Sequence, residues 1–520
     1  MQLLLLVILA WLGSATAWAQ ASAAVSTTAP PSADELASDA AILRLGAEPT
    51  LQETPGSSSK FLYDLRLRAA GQIIGRDPET LLNYDVIQRP SLGPLIYWRT
   101  PDLLRPRATR AYPTTMLSMS AEWEVTDYLL LRGLVDTGEI RDGSTLEPPV
   151  QGLTINGSRG LHEVQSLAIV RELSVTVGKP AFDVELGRFR STLAEGLVYD
   201  DFGTGARASV DFQELGLMPV RAELLASTVG QRVKSVESNP MLALRVEYAP
   251  SLLDTLGFFV AVARDRNGAL SDVLRSSMAE RVLDTPERLH ALFAQDQGHG
   301  QIAYLGADTQ LVLAKALLLK ASAVISGGQF TLAVANLQNP TQNDQASIVV
   351  RGAAANAELH YGLGRKVDLA GYAFVLSGGS PPTGNHDTYD AFIGLAPYWV
   401  WTGLFFSGGL NQSLLANRAA AAGIHGHGVA GIGPGIELRQ GRGLLEMRAI
   451  WLQALAAPPP QPIGGTGNAY GLEVDLRAQW NPWRFLGVGA ELDVLVPGTY
   501  FPEAAVAYRA LSMVSLAYGN

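Results

Sequence analysis

The chain has 520 residues, 47% of them hydrophobic and 17% charged, with a formal net charge of -10 at pH 7. That acidity argues against general nucleic-acid binding, which needs a basic surface, and the absence of cysteine removes disulfides, thiolate metal ligands and thiol nucleophiles. Mean hydropathy is +0.13, yet beyond the N-terminus no stretch reaches the ~20 uninterrupted apolar residues of a membrane helix, so the apolar content is spread through short segments.

Leu3 to Leu12 is an apolar run followed by Ala17, Trp18 and Ala19, an A-x-A pattern that predicts a signal peptide over residues 1–19, cleaved before Gln20. No Lys or Arg precedes the run, which departs from the usual pattern; the run is also short for a retained membrane anchor. Residues 20–60 are rich in Ala, Ser, Thr and Pro and close on Gly56 to Ser59, which predicts a flexible periplasmic segment.

From Phe61 the texture changes to period 2, and residues 61–520 read as one unit. Phe61, Tyr63, Leu65, Leu67 and Ala69 alternate with Asp64, Arg66 and Arg68. Ala206, Ala208, Val210 and Phe212 oppose Arg207, Ser209, Asp211 and Gln213, and Leu242, Leu244, Val246 and Tyr248 oppose Arg245 and Glu247. Near the end Tyr470, Leu472, Val474, Leu476, Ala478 and Trp480 oppose Glu473, Asp475, Arg477 and Gln479. Such strands need two solvents, and a face this charged is too polar for a packed core. A sheet in lipid must pair every backbone group and therefore close. The expectation is an all-β, transmembrane, antiparallel up-and-down β-barrel of about 18 strands in the outer membrane of a Gram-negative bacterium, with about 16 to 20 as bounds because Gly178 to Pro180 and Ala396 to Thr402 each read as one bent strand or two. A soluble β-sandwich also alternates, but Trp98, Trp123, Trp399, Trp401, Trp451, Trp480 and Trp483 fall near predicted strand ends, as an interfacial aromatic girdle requires.

Three insertions exceed a tight turn. Residues 72–112 are Pro- and Arg-rich, with Arg99, Arg105, Arg107 and Arg110 close together. Residues 266–300 carry helix signals, a cap at Ser271 before Val273, Leu274, Met278, Val282 and Leu283, and Thr285-Pro286-Glu287, so one helical insertion is expected. Pro458 to Gly467 is the third. The first two are candidates to fill the lumen, against the plainer reading of external loops.

No enzyme is predicted. Asp136-Thr137-Gly138 matches an aspartic-protease tripeptide once, where that chemistry needs two carboxylates. His425 and His427 lack a third metal ligand in view, and His360 shares an inward face with Asn356 and Glu358 without a positioned nucleophile. The informative residues are the inward arginines Arg66, Arg68, Arg132, Arg207, Arg221, Arg245, Arg439, Arg448 and Arg477, set among Asp211, Glu223, Glu247, Glu437, Glu446, Glu473 and Asp475. Rings of Arg select anions, while cross-strand pairs satisfy any wide barrel; the pattern leaves both open.

Two stretches carry a family resemblance. Leu186-Gly187-Arg188-Phe189-Arg190 with Glu195-Gly196-Leu197-Val198-Tyr199-Asp200-Asp201 resembles the G-R-x-R, acidic-Gly, aromatic-Asp pattern of the alginate-export type of outer-membrane barrel. Gly471-Leu472-Glu473-Val474-Asp475-Leu476 with Val496-Pro497-Gly498-Thr499-Tyr500-Phe501 is similar to that family's penultimate hairpin. The resemblance implies an eighteen-stranded monomer whose arginine-rich constriction conducts an anionic exopolysaccharide. Arg188 and Arg190 would form it, with Glu195, Asp200 and Asp201 orienting them. Their parity matches Val184 and Leu186, so they face inward only if the strand slips phase near Gly187.

The expected function is export of an anionic polysaccharide through a charged lumen lined by Arg188, Arg190, Glu195, Asp200, Asp201, Arg66, Arg68, Arg207, Arg439, Arg477, Glu473 and Asp475. The alternatives are a general or anion-preferring uptake porin and a non-conducting structural or adhesion barrel. Expected partners are the lipid bilayer with its lipopolysaccharide, the outer-membrane assembly machinery and a periplasmic polysaccharide-export partner; no cofactor, metal or nucleic acid is expected.

Overall fold

Alternating stretches become strands because an extended chain sends successive side chains to opposite faces. The computed structural model describes residues 60–75, 109–138, 169–179, 181–229, 239–251, 253–266, 298–335, 343–380, 387–406, 419–459 and 464–519, with residues 270–271, 273–274 and 277. The expected signal peptide, nearly all of the 20–60 segment, Trp98 and most of the 72–112 and 266–300 insertions lie outside these residues.

Eighteen strands form the wall. They are β1 (Lys60–Gly75), β2 (Thr109–Thr126), β3 (Leu129–Gly138), β4 (Ile169–Lys179), β5 (Phe182–Leu193), β6 (Tyr199–Asp211), β7 (Val220–Val229), β8 (Asn239–Tyr248) and β9 (Thr255–Asp265). There follow β10 (His299–Ala314), β11 (Leu317–Ala335), β12 (Asn343–Gly362), β13 (Val367–Leu376), β14 (Val429–Gln440), β15 (Gly443–Gln453), β16 (Ala469–Trp483), β17 (Leu486–Pro497) and β18 (Ala507–Gly519). Each pairs antiparallel with its chain neighbours, and β18 returns to β1 from Asp64↔Gly519 to Gly75↔Tyr508. Closure leaves no edge, so no row of wall amides faces hydrocarbon, where each orphan would cost several kcal/mol.

The outward row is apolar and exposed, as at Leu173, Leu244, Ile325 and Leu476, while the opposite row carries the charges. Trp123, Trp480 and Trp483 stand exposed near one rim and Trp451 near the other, as a girdle requires. Connections such as 127–128, 315–316, 441–442 and 484–485 share one rim with Lys60 and Gly519; the long ones gather at the other. A closed barrel with an apolar outside, charged inside and short turns on one rim is an outer-membrane protein, its short-turn rim toward the periplasm and its outer face in lipid and lipopolysaccharide.

Four expectations need correction. The ladder extends past the alternation, with Gln72↔Tyr112 and Gly75↔Thr109 still paired, so the first insertion is 76–108. Tyr470 faces inward, because Leu452 pairs with Gly471 and Gln453 with Ala469, a bulge at Gly471 (φ 128) that turns Tyr470 off the lipid face. Trp399 and Trp401 are buried inside the barrel instead of joining the girdle. Finally, Ala396 to Thr402 is no strand of the wall: residues 377–428 form a long insertion between β13 and β14.

Candidate functional site

Two inward elements occupy the lumen, and the first grows out of the wall. Up to Leu186, β5 keeps wall parity: Phe182 and Leu186 are exposed outward, and Glu185 is buried inward against Ser174 and Arg207. At Gly187 φ is 121, and a Cβ there would lie 2.3 Å from the Leu173 carbonyl oxygen. Only glycine tolerates both. Just beyond, β4 stops pairing at Leu173↔Arg188, and β7 stops pairing with β6 at Gly205↔Ser227. The strands β5 and β6 remain paired with each other up to Leu193↔Tyr199.

The upper half is therefore a two-stranded hairpin that has left the wall. Its Phe189, Leu193, Ala194, Leu197 and Tyr199 pack into one apolar cluster with Phe259, Tyr304, Val324 and Ala354 from the inner faces of β9 to β12. The tip reaches β10 and β11. Ala194 and Glu195 there hold φ of 53 and 50, a conformation costly for residues with a Cβ. The phase slip expected near Gly187 is thus present, as a departure from the wall.

Arg188, Arg190, Thr192 and Asp200 share the other face of this hairpin. Arg190 Nε and Nη2 donate to the two carboxylate oxygens of Asp200 at 2.8 and 3.0 Å, and Thr192 Oγ1 donates to the same carboxylate at 3.1 Å. The Arg190 side chain keeps 39% of its surface open. Arg188 makes no ion pair among the described residues, and its buried Nε has no hydrogen-bond partner. Asp201, fully buried, accepts the Phe202 amide at 2.6 Å and lies near Arg188 with Arg171. Glu195, expected to orient the arginines, instead sits accessible at the tip facing Glu358, Lys320, Asp308 and Ser322. Although its surface is open to the lumen, desolvation by the wall packed around the tip, then Glu358, push its carboxyl up to about 7.

The second element is the 387–406 segment. Thr388 and Tyr389 pair in parallel with Val349 and Val350 of β12, and Tyr304 Oη donates to the Ile393 carbonyl at 2.8 Å. The chain then bonds to the hairpin: Leu395 N to Val198 O at 2.8 Å, Asp200 N to Ala396 O at 2.9 Å, Tyr398 N to Gly196 O at 2.9 Å. It continues to the opposite wall, where Trp401 stacks on Phe374 at 4.2 Å and Arg448 Nη1 donates to Val400 O at 2.8 Å. There the amides of Leu404 and Phe405 donate to Glu473, and that of Gly403 to Asp475 at 3.2 Å.

A hydrogen-bonded bridge thus runs from the β10 wall through the hairpin to β15 and β16. From the 266–300 insertion, Ser277 Oγ bonds Tyr389 Oη at 2.7 Å, and residues 270, 271, 273, 274 and 277 have helical backbone. At the outer rim His427 Nδ1 meets Tyr500 Oη at 2.7 Å, a structural clasp; the His425 side chain lies outside the described residues.

Elsewhere the predicted lumen charges face inward in pairs. Arg66 meets Asp64 at 2.6 Å with Arg68 on the same face, Arg207 meets Glu185, Arg439 meets Glu437, and Arg477 meets Glu491 at 3.4 Å and Glu446 at 3.6 Å. Glu473 and Asp475 face inward too, but the 402–405 turn covers them, so they hold chain instead of lining water. Arg171 was not foreseen, since its parity is outward; a register shift between Leu134 and Val135 turns it in against Asp136 at 2.9 Å. Arg509, bonded to Asp493 at 2.7 Å, was equally missed, although its odd parity on β18 was readable. Among the described residues no group of three or more His, Cys, Asp or Glu is arranged to hold a metal ion.

No protein-family model matches the chain, and no curated protein matches it. The solved structures to which it is similar include several Pseudomonas aeruginosa proteins. OccK9 (OpdG) shares 8% identity over 89% of this chain and 99% of that one, with a TM-score of 0.47. OpdL shares 8% over 88% and 99%, also at 0.47. OpdK, solved with vanillate, shares 9% over 88% and 99%, at 0.45.

Proposed function

We propose that the chain is an uptake porin, a diffusion channel that prefers small anionic solutes. The reading rests on the hairpin face: Arg188, without an ion-pair partner among the described residues, beside an Arg190 that stays partly open to the lumen. A guanidinium cannot shed its proton at neutral pH and offers a planar fork of donors to carboxylate or phosphate. Among the described residues Arg66, Arg207, Arg439 and Arg477 are held in ion pairs, so Arg188 offers a passing anion a donor that they do not. The inward elements support small cargo, because they divide the interior between the β10 wall and β16.

Export of an anionic polysaccharide is the second reading, favoured by the motifs at 186–201 and 471–501. A polymer would need a continuous groove past both inward elements.

Planar-bilayer recording tests the proposal. The wild type should pass current with a reversal potential on the anion side, and Arg188→Gln should move it toward the cation side while folding normally. A silent wild type sinks the porin reading, and unchanged selectivity in R188Q removes Arg188 from the pathway. Loss of surface polysaccharide on deletion, with small-anion uptake intact, would favour export.

A further inference from the structure

Five carboxylates, Glu446, Glu473, Asp475, Glu491 and Asp493, share the inner wall of β15 to β18 with Arg448, Arg477 and Arg509. The pairing is uneven. Arg448 takes Glu446, Arg477 takes Glu446 and Glu491, and Arg509 takes Glu491 and Asp493. Glu473 and Asp475 make no ion pair among the described residues, yet they are 1% and 2% exposed. A buried carboxylate without compensation is costly. Here the compensation comes from chain: Phe405 N donates to Glu473 Oε2 at 3.0 Å, Leu404 N donates to Glu473 Oε1, and Gly403 N donates to Asp475 Oδ2. Three successive amides of one turn thus meet two carboxylates two residues apart on β16.

The wall holds the same turn from a second side. Arg448 Nη1 takes the Val400 carbonyl at 2.8 Å while its guanidinium lies 4.9 Å from the centre of the Tyr372 ring. Gly403 completes the fit: a Cβ there would stand 2.4 Å from Asp493 Oδ1. Thr402, between the two grips, is fully buried.

We propose that Glu473, Asp475 and Arg448 are positioning residues that clamp the 400–405 turn across the lumen, and that this clamp sets the channel's conductance. The second half of this inference rests on the porin reading; the first does not. The acidic residues accept hydrogen bonds from the turn's amides and the arginine donates to its carbonyls, so both groups of the turn's backbone are used. Released, the turn would leave Glu473 and Asp475 to lumen water, which hydrates carboxylates as readily, so the grip is reversible in principle.

The test uses the full-length barrel and exploits the absence of cysteine. Thr402→Cys supplies a single thiol, probed with a membrane-impermeant maleimide, and the double variant Glu473→Gln with Asp475→Asn breaks the clamp. Glutamine keeps one acceptor oxygen where Glu473 used two, and presents an NH2 to an amide N–H. Labelling should be slow with the clamp intact and fast without it, and unitary conductance should rise in the unclamped barrel.

Gly403→Ala tests the same grip from the turn and leaves the wall charges alone; it should also speed labelling of Thr402→Cys. Retention of the folded barrel's electrophoretic mobility without heating shows that each variant folds. Labelling that stays slow in both variants overturns the clamp. Fast labelling with unchanged conductance overturns its control of passage. If no barrel conducts, the porin reading fails, and the labelling still decides the clamp.

Discussion

The β8 strand and the upper half of the β5–β6 hairpin carry similar sequence alternation and end in opposite environments. In β8, Leu242 and Leu244 are exposed to lipid while Met241, Ala243 and Arg245 turn inward; β7 stays paired to the strand's end at Asn239↔Val229, and β9 to within two residues of it at Met241↔Ala263. In the hairpin the same parity that put Leu186 in lipid puts Arg190 and Asp200 inside, because β4 and β7 have let go. Alternation reports two solvents only while a strand belongs to the wall. Membership of the wall is a matter of pairing, and here glycines at 187, 203 and 205 mark where it ends.

The largest expected effect comes from placing the same charge on the same parity in both regions. Leu244→Arg should cost about 2–4 kcal/mol, as arginine does near the bilayer midplane. Thr204→Arg, which shares parity with the outward Ala206 and Ala208 but lies in the hairpin opposite Arg188, should cost under about 1 kcal/mol. Reversible urea unfolding from vesicles measures both. Equal costs would mean that the hairpin faces lipid, and the comparison would collapse.

Next in size is the hinge. Gly187→Ala forces a Cβ to within 2.3 Å of the Leu173 carbonyl at a φ of 121, so the backbone must shift. A cost of about 1–3 kcal/mol is expected, together with weaker anion selectivity as Arg188 and Arg190 are displaced. A change in stability with selectivity untouched would show that the hinge does not aim them.

These two regions also mark how far the sequence could be read. Closure, strand number and the outward row followed from alternation at places such as Phe61 to Ala69 and Leu242 to Tyr248, because lipid and water impose opposite demands on the two faces. The Arg190–Asp200 contact was approached through a motif and a suspected slip at Gly187. The bridge was not legible. Its Trp399 and Trp401 look like girdle residues in sequence, since an aromatic suits an interface and a packed interior equally. Nor could spacing reveal that Glu473 and Asp475 would bind amides 68 to 72 residues upstream, a contact fixed by where a long insertion folds.

The smallest effect sharpens the comparison at the hairpin's tip, where Glu195 faces the wall rather than lipid. Its carboxyl is raised from 4.5 to about 7 by desolvation from the surrounding wall and by Glu358, with Asp308 adding to the rise and Lys320 and Ser322 opposing it. A raised value means that the docked tip holds its proton more tightly than a free tip would. The contribution to docking is therefore full below about pH 4.5, declines as pH climbs, and is gone above about pH 7. In the same range the tip passes from neutral to negative, so the ratio of cation to anion permeability should rise between pH 6 and 8, and Glu195→Gln should flatten that rise. Since other lumen groups also titrate, the difference between wild type and E195Q is the quantity to read. Identical pH profiles would place Glu195 away from the conducting water, and with it the tip of the hairpin.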